Sequence, residues 1–359
     1  MPPAMPESEW LRGEGAATDT VISSRVRLAR NLAGMPFVGK MSIAQRQATL
    51  EAVQARVKGL GMTWIDLHRA TSPERMLLVE RHLISQQHAR GRKSGPGGPS
   101  NRPAAEEPRA VAFTSPDERL SIMVNEEDHL RIQALRSGLD LAGAMAMADQ
   151  ADDHLESGLT YAFHTRFGYL TACPTNVGTG LRLSVMLHLP SLRLTGNMEK
   201  VKHAATDMCL ALRGFYGEGS EAAGDFYQLS NQTTLGKPEP VLLRELTEEI
   251  IPRVLEYERA ARRSLMNRKR ADLEDQVFRA LGVLGRARLM TTEEAMRQLS
   301  LVRLGVVCGL IAGLDLPTVN RLMLLVQPAH LQRAVGTDLD QERRRSARAT
   351  LLREHLAGI

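Results

Sequence analysis

Residues 181–189 constrain the fold more than any other stretch of the chain. Leu181, Leu183, Val185, Leu187 and Leu189 alternate with Arg182, Ser184 and His188. A strict period of two puts apolar side chains on one face of a β-strand and polar ones on the other. Residues 21–30 behave in the same way, with Ile22, Val26 and Leu28 on one face and Arg25 and Arg27 projecting together from the other.

Further strands are expected at residues 110–113, 120–124, 167–172 and 226–229, joined by short connections. Few strand–helix–strand units separate them, which favours a largely antiparallel sheet covered by helices. Helices are expected at residues 42–60, at 129–155, and from an Asn197 N-cap to about residue 212. After residue 239 strand signals stop, and Thr291 with Glu294 and then Pro317 mark helix starts. The expected class is therefore α+β: an antiparallel sheet flanked by helices, followed by an all-helical C-terminal domain. Residues 1–20 read as a flexible tail, 21–258 as the first domain and 259–359 as the helical one. Residues 88–109, rich in Gly, Pro and charge, read as a flexible surface insertion within the first domain.

Composition excludes several classes. The 359 residues contain no apolar run long enough to span a membrane, and the first ten lack a signal-peptide pattern. The three cysteines, Cys173, Cys209 and Cys308, are too few for a disulfide framework and have no metal-ligand spacing. A reduced, cytoplasmic protein is the expectation. A net charge of +5 and 4% aromatic residues do not call for a nucleic-acid partner.

Four segments carry more chemistry than a scaffold needs. In Ser23-Ser24-Arg25-Val26-Arg27 the two arginines can hold adjacent phosphates through planar, charge-assisted bonds, or form a solvated strand face. Asn125-Glu126-Glu127-Asp128-His129-Leu130-Arg131 reads either as a helix cap with acids in the first turn, or as a carboxylate base beside an anion ligand. Cys173-Pro174-Thr175-Asn176-Val177-Gly178-Thr179-Gly180 reads as a hairpin turn or as a phosphate approach, with Cys173 a possible small hydrophobe. Residues 213–221, with Gly214, Gly217 and Gly219, read as a loop that closes over a ligand. There is no Walker A sequence, because Gly91-Arg92-Lys93-Ser94 lacks the required ending.

In this order and at these separations the four segments resemble the ATP:guanidino phosphotransferase (phosphagen kinase) family, and within it the bacterial protein-arginine kinases. Residues 79–85 (Val-Glu-Arg-His-Leu-Ile-Ser) and 230–236 (Ser-Asn-Gln-Thr-Thr-Leu-Gly) add to the likeness. The resemblance implies a glutamine-synthetase-like catalytic fold and ATP with Mg²⁺. It implies that Ser24, Arg25, Arg27, His82, Arg131, Arg182 and Arg213 contact the nucleotide, and that Glu127, Glu218 and Cys173 serve the guanidinium. It implies protein substrates with exposed arginines and a homodimer. It also implies a zinc-containing activator, a Clp-type unfoldase that degrades marked clients, and a heat-shock repressor, in a stress response. Because the first arginine motif begins at residue 23, the helical domain follows the catalytic one, and this favours an open site for a protein arginine.

The family's phosphoarginine-reading Arg-Asp-x-x-Arg-Ala motif stands here as Arg344-Arg345-Ser346-Ala347-Arg348-Ala349. Arg345 replaces the Asp and would repel a guanidinium, which leaves Arg344 and Arg348 as phosphate ligands. The competing functions are a kinase for free arginine or another small guanidino compound, and a non-catalytic adaptor or phosphoarginine-binding module.

Overall fold

The computed structural model describes residues 8–91, 107–214 and 223–359. In chain order the elements are β1 (Val21–Arg30), α1 (Ile43–Val57), β2 (Thr63–Asp66), α2 (Ser72–Glu80), α3 (Gln86–Arg90), β3 (Ala110–Phe113), β4 (Leu120–Val124), β5 (Leu130–Ser137) and α4 (Leu141–Glu156). Then come β6 (Phe163–His164), β7 (Gly168–Tyr169), β8 (Leu181–His188), α5 (Pro190–Leu194), α6 (Met198–Asp207), β9 (Leu210–Arg213) and β10 (Phe226–Asn231). The rest is helical: α7 (Glu239–Arg244), a π turn, α8 (Ile251–Arg268), α9 (Arg270–Arg286), α10 (Thr292–Val307), α11 (Leu316–Leu325), α12 (Pro328–Val335) and α13 (Gln341–His355).

Eight strands form one antiparallel sheet in the order β2-β3-β4-β5-β1-β8-β10-β9, and β6 and β7 form a small separate ribbon. The expected α+β architecture is what the chain adopts. Residues directly opposite in neighbouring strands share a face, so the register assigns every side chain. Val26, Leu28, Ile132, Ala134, Leu183, Val185, Leu187 and Leu229 lie on one face and form a core with α1, α4, α6 and the first half of α8. On the opposite face, at β2–β4, Val111, Phe113 and Met123 are covered by Leu78, Val79 and Leu83 of the α2–α3 region. A third core joins the C-terminal helices to Trp10, Leu11, Met186, Phe226 and Ile22. Ile22 does not share a face with Val26 and Leu28 as expected, because a register shift between Val21 and Ser23 breaks the alternation and leaves Val21 in their core instead. Between those two covers the second face of the sheet stays open.

Several expectations give way here. Residues 129–155 are not one helix: Leu130, Ile132 and Ala134 alternate with Arg131 and Gln133 in β5, and the helix begins after Asp140, whose carboxylate caps it at Gly143 N. Asn125 is therefore no helix cap; it sits at φ +60° in the β4–β5 turn, with its amide on the Arg46 and Pro108 carbonyls. The helix expected to reach residue 212 ends at Asp207, Asn197 makes no side-chain cap, and β9 follows. Only Gly168–Tyr169 of the strand expected at 167–172 forms.

The described part of the expected tail, residues 8–20, is packed in place: Trp10 is buried, and Glu9 accepts from Arg119 Nε at 3.0 Å and Ser137 N at 3.3 Å. Of the expected insertion, residues 92–106 lie outside the described residues, while His88 and Arg109 are buried and Arg109 Nε donates to His88 O. His188, expected to face outward, is buried because α10 covers it. Arg303 Nη1 donates to its Nδ1 at 2.9 Å, and its Nε2 donates to Ser300 Oγ at 2.9 Å.

Candidate active site: an arginine-lined sheet face

The open face belongs to β5, β1, β8, β10 and β9. Arg27 stands opposite Arg182 and Gln133, Ala29 opposite Arg131, and Gln228 opposite Arg213. Pairing Arg25 with Ser184, and Gln228 with Met186, completes the row. Arg25, Arg27, Arg131, Arg182 and Arg213 therefore all rise from one side of the sheet. All are only partly exposed.

The arginines differ in the partners that hold them. Arg25 is held by neutral groups, with Nε donating to Ser184 Oγ at 3.3 Å and Nη2 to Gln228 Oε1 at 2.5 Å. Removal from water, then repulsion from Arg182, Arg131 and Arg213, pushes its guanidinium down to about 9. Arg27 is likewise pushed well down by burial and by Arg25, Arg131 and Arg182, and its Nε is buried with no hydrogen-bond partner. Arg131 pairs with acids, its Nη2 lying 3.0 Å from Glu126 and 3.4 Å from Glu127. Guanidinium groups crowded on one face, with Arg25 and Arg27 removed from water, offer planar donors of the kind that match phosphate oxygens.

His82 follows α2 at φ +62°, beside Arg25, and burial followed by the Arg25 charge lowers its pKa to about 3. Its ring is neutral at physiological pH. Ser24, expected to contact the nucleotide, lies on the other face. Its hydroxyl donates to Gly138 O and accepts from Asp140 N, both at 2.9 Å, so it ties β1 to the start of α4. Period two separates it from its arginine neighbours.

The carboxylates sit at one end of the row. Glu126 is buried, and although burial raises its pKa, Arg131, His88 and the Ser85 hydroxyl outweigh that and hold it below its ordinary value. Glu127 is partly exposed and accepts from Arg131, leaving it the accessible member of the pair. Asp128 is buried and accepts from Asn31 Nδ2 and from Ala172 N, each at 2.6 Å. Through that second bond it draws the chain before Cys173 up to the Glu127 turn. Cys173 is partly exposed, with Sγ 3.0 Å from Thr175 Oγ1. Glu218 lies outside the described residues.

Sequence reasoning missed Asn31, Asp128 and Thr234 as supports. Thr234 Oγ1 lies 2.8 Å from Thr175 O and 2.7 Å from Val177 O, anchoring the Cys173 turn to residues 230–236. The turn's glycines serve the same end. Gly178, at φ +113°, lies so close to Thr234 that a Cβ would stand 2.3 Å from its carbonyl oxygen, so the close approach here is to protein backbone. Arg344 and Arg348 lie on α13, apart from the sheet. Arg348 is buried and turned inward, donating to Val326 O at 2.7 Å and Met290 O at 2.9 Å. Arg345 is exposed. Among the described residues no three His, Cys, Asp or Glu side chains gather as a metal site, and no helix is long and apolar enough to cross a membrane.

An antiparallel sheet that presents five arginines beside an accessible carboxylate and a thiol defines a phosphotransferase for a polyphosphate donor. Residues 45–261 match the family model described as the ATP:guanido phosphotransferase C-terminal catalytic domain, and residues 270–359 match the protein-arginine kinase McsB C-terminal domain. The chain is 46% identical over 358 residues to a protein-arginine kinase of Symbiobacterium thermophilum, covering 98% of this chain and 97% of that one. It is 45% identical to that of Moorella thermoacetica, with 98% of each covered. Among solved structures it is similar to lombricine kinase, with a TM-score of 0.57 at 24% identity over 72% of this chain and 73% of that one. The duplicated taurocyamine kinase of Schistosoma mansoni gives a TM-score of 0.59 at 24% identity, over 72% of this chain and 35% of that one. The chain belongs to the ATP:guanido phosphotransferase family and, within it, to the protein-arginine kinases.

Proposed function

We propose that this enzyme transfers the γ-phosphoryl group of ATP to a guanidinium nitrogen of arginine side chains in proteins. The observation that carries the reading is the single-face row of Arg25, Arg27, Arg131, Arg182 and Arg213 ending at Glu127. The relatives' printed name, over nearly their full length, supports protein arginine as the acceptor.

Each group has a task that follows from its chemistry. The five arginines bind the triphosphate and neutralise the charge shared over the transferring group. Mg²⁺ carried in with the nucleotide would add charge neutralisation beside these arginines. His82, neutral, contacts the nucleotide as a hydrogen-bonding or stacking partner. The substrate guanidinium is protonated in water, since its pKa exceeds about 12. A carboxylate pair, Glu127 and Glu218, aligns the planar fork, and Glu127 accepts the proton as the nitrogen attacks. The N–P bond forms, the bond from γ-phosphorus to the bridging oxygen breaks, and ADP leaves. Cys173 borders the guanidinium from the opposite turn.

In this reading residues 21–258 carry catalysis and 259–359 form the helical domain. Cytoplasmic location, a homodimer, a zinc-containing activator, a Clp-type unfoldase, a heat-shock repressor and a role in stress response follow from the family resemblance. The test is to incubate the protein with Mg-ATP and an unfolded arginine-rich protein, and separately with free arginine, and to follow phosphorus NMR. An acid-labile P–N signal on protein is expected. A signal on free arginine alone would move the enzyme to small-molecule guanidino chemistry.

A further inference from the structure

The end of α2 is fastened to the C-terminal helices by one buried carboxylate. Glu80 is 2% exposed and sits on the N-terminus of α12. Its Oε1 accepts from Ala329 N at 2.8 Å, and its Oε2 accepts from His330 N at 2.9 Å and from His330 Nδ1 at 2.7 Å. A carboxylate at a helix N-terminus satisfies otherwise unpaired N–H groups and meets the positive end of the helix dipole. Arg81, the next residue, is tied to Glu118, which in turn binds Ser8.

Two residues after Glu80 the backbone does something costly. His82 takes φ +62°, the left-handed conformation with which helices commonly end, and one that glycine normally supplies. A side chain there is strained and persists only where the surroundings over-determine it. The surroundings do so from several sides. Leu83 N donates to Leu78 O at 2.9 Å, Gln133 Nε2 donates to His82 O at 2.7 Å, and Trp10 meets the His82 ring edge-on at 5.0 Å. His82 then lines the same small cavity as Arg25.

We propose that Glu80 is a positioning residue for the nucleotide site. By seating the end of α2 on α12 it holds His82 in its left-handed conformation beside Arg25, so that the helical region is part of the ATP site's framework. The proposal rests on the assignment of His82 to the nucleotide.

A double-mutant cycle tests it in the full-length protein, with calorimetric binding of a non-hydrolysable ATP analogue and Mg²⁺ as the readout. Nucleotide binding is independent of which guanidino substrate is used. His82→Ala should weaken binding, and Glu80→Gln should weaken it about threefold to tenfold, the scale of a lost charge-assisted contact. In the His82→Ala background Glu80→Gln should have almost no further effect, because it acts through His82. His330→Ala, made on α12 itself, should repeat the pattern more weakly, and it keeps the test decisive if Glu80→Gln folds poorly. Effects of Glu80→Gln and His82→Ala that multiply, or wild-type affinity in both Glu80→Gln and His330→Ala, would overturn the coupling. Unchanged binding in His82→Ala alone would instead overturn the nucleotide assignment on which it stands.

Discussion

Arg27 on β1 stands directly across from Arg182 on β8, on the same face of the sheet and in register. Like charges opposite one another in neighbouring strands cost stability, and Arg27 Nε is buried without a hydrogen-bond partner. In the proposed reaction the nucleotide's phosphates offset that cost. Arg27→Met should therefore leave the unliganded protein as stable as wild type or more so, while abolishing the stabilisation that Mg-ATP gives the wild type. Thermal unfolding of both proteins, with and without Mg-ATP, checks this, since a ligand stabilises in proportion to its occupancy of the native state. A clear loss of unliganded stability would show that Arg27 is structural.

Glu127 is the accessible acid of its turn, whereas Glu126 and Asp128 are buried and committed to protein donors. Glu127→Gln should lower kcat about 10²- to 10⁴-fold, the range for losing a general base, while retaining the Mg-ATP stabilisation. Asp128→Asn should act differently, lowering both stability and kcat, because Ala172 N loses its carboxylate anchor. Steady-state kinetics beside unfolding curves separate the two. Cys173→Ser kinetics would show whether the thiol contributes to rate.

Gly178 and Gly236 both have positive φ, at +113° and +84°, but only Gly178 meets backbone where a Cβ would stand. Gly178→Ala should cost about 2–3 kcal/mol and reduce kcat, because Thr234 must shift and it holds the Cys173 turn. Gly236→Ala, open around its Cβ, should cost about 1 kcal/mol and leave kcat near wild type. Denaturant unfolding with kinetics on both variants is the check, and equal effects would remove the packing explanation.

Asp19 accepts from Arg259 at 2.9 and 2.6 Å and from Arg262 at 2.9 Å. Burial raises its pKa, but these two guanidinium groups outweigh that and bring it to about 2 from an ordinary 3.8. A lowered carboxyl pKa stabilises the fold above the ordinary value, and that contribution is lost as pH falls towards about 2. Asp19→Asn should cost about 1 kcal/mol at neutral pH, discounted because the group is partly exposed. The gap from wild type in urea unfolding should close between about pH 4 and pH 2. A gap that stays constant across that window would refute the linkage.

Arg348 donates into the helical core, to Val326 O and Met290 O. Replacing it by Leu should cost about 2–3 kcal/mol through the stranded carbonyls. Arg344→Ala, at a partly exposed position whose bond to Leu339 O is near the surface, should be nearly neutral for stability. If α13 binds a phosphoarginine-like anion, Arg344→Ala should weaken that binding in calorimetry while Arg348→Leu unfolds first on heating.

Much of the site was legible because period two is local. The alternation in β1 and β8 places Arg25, Arg27 and Arg182 on a shared polar side, and strand pairing then needs only the observed register to align them. The same signal was present in Leu130, Ile132 and Ala134, yet Asn125 followed by acids imitates a helix start, and the expectation of a helix there failed. What decides it is the left-handed Asn125 turn, whose amide is satisfied by carbonyls of distant segments. Ser24 misleads for a related reason: it adjoins Arg25 in sequence but faces the opposite side.

By itself the sequence determined the alternation of β8 and of β1 from Arg25 onward, the helical character of the chain after residue 239, and the set of arginines and acids available, because these depend on neighbours within a few positions. Only the tertiary structure decided that His188 is buried beneath α10, that Asp128 reaches Ala172, and that Glu80 seats on α12. Those contacts join segments 44 to 249 residues apart. Their energies depend on burial and on partners that no local pattern contains.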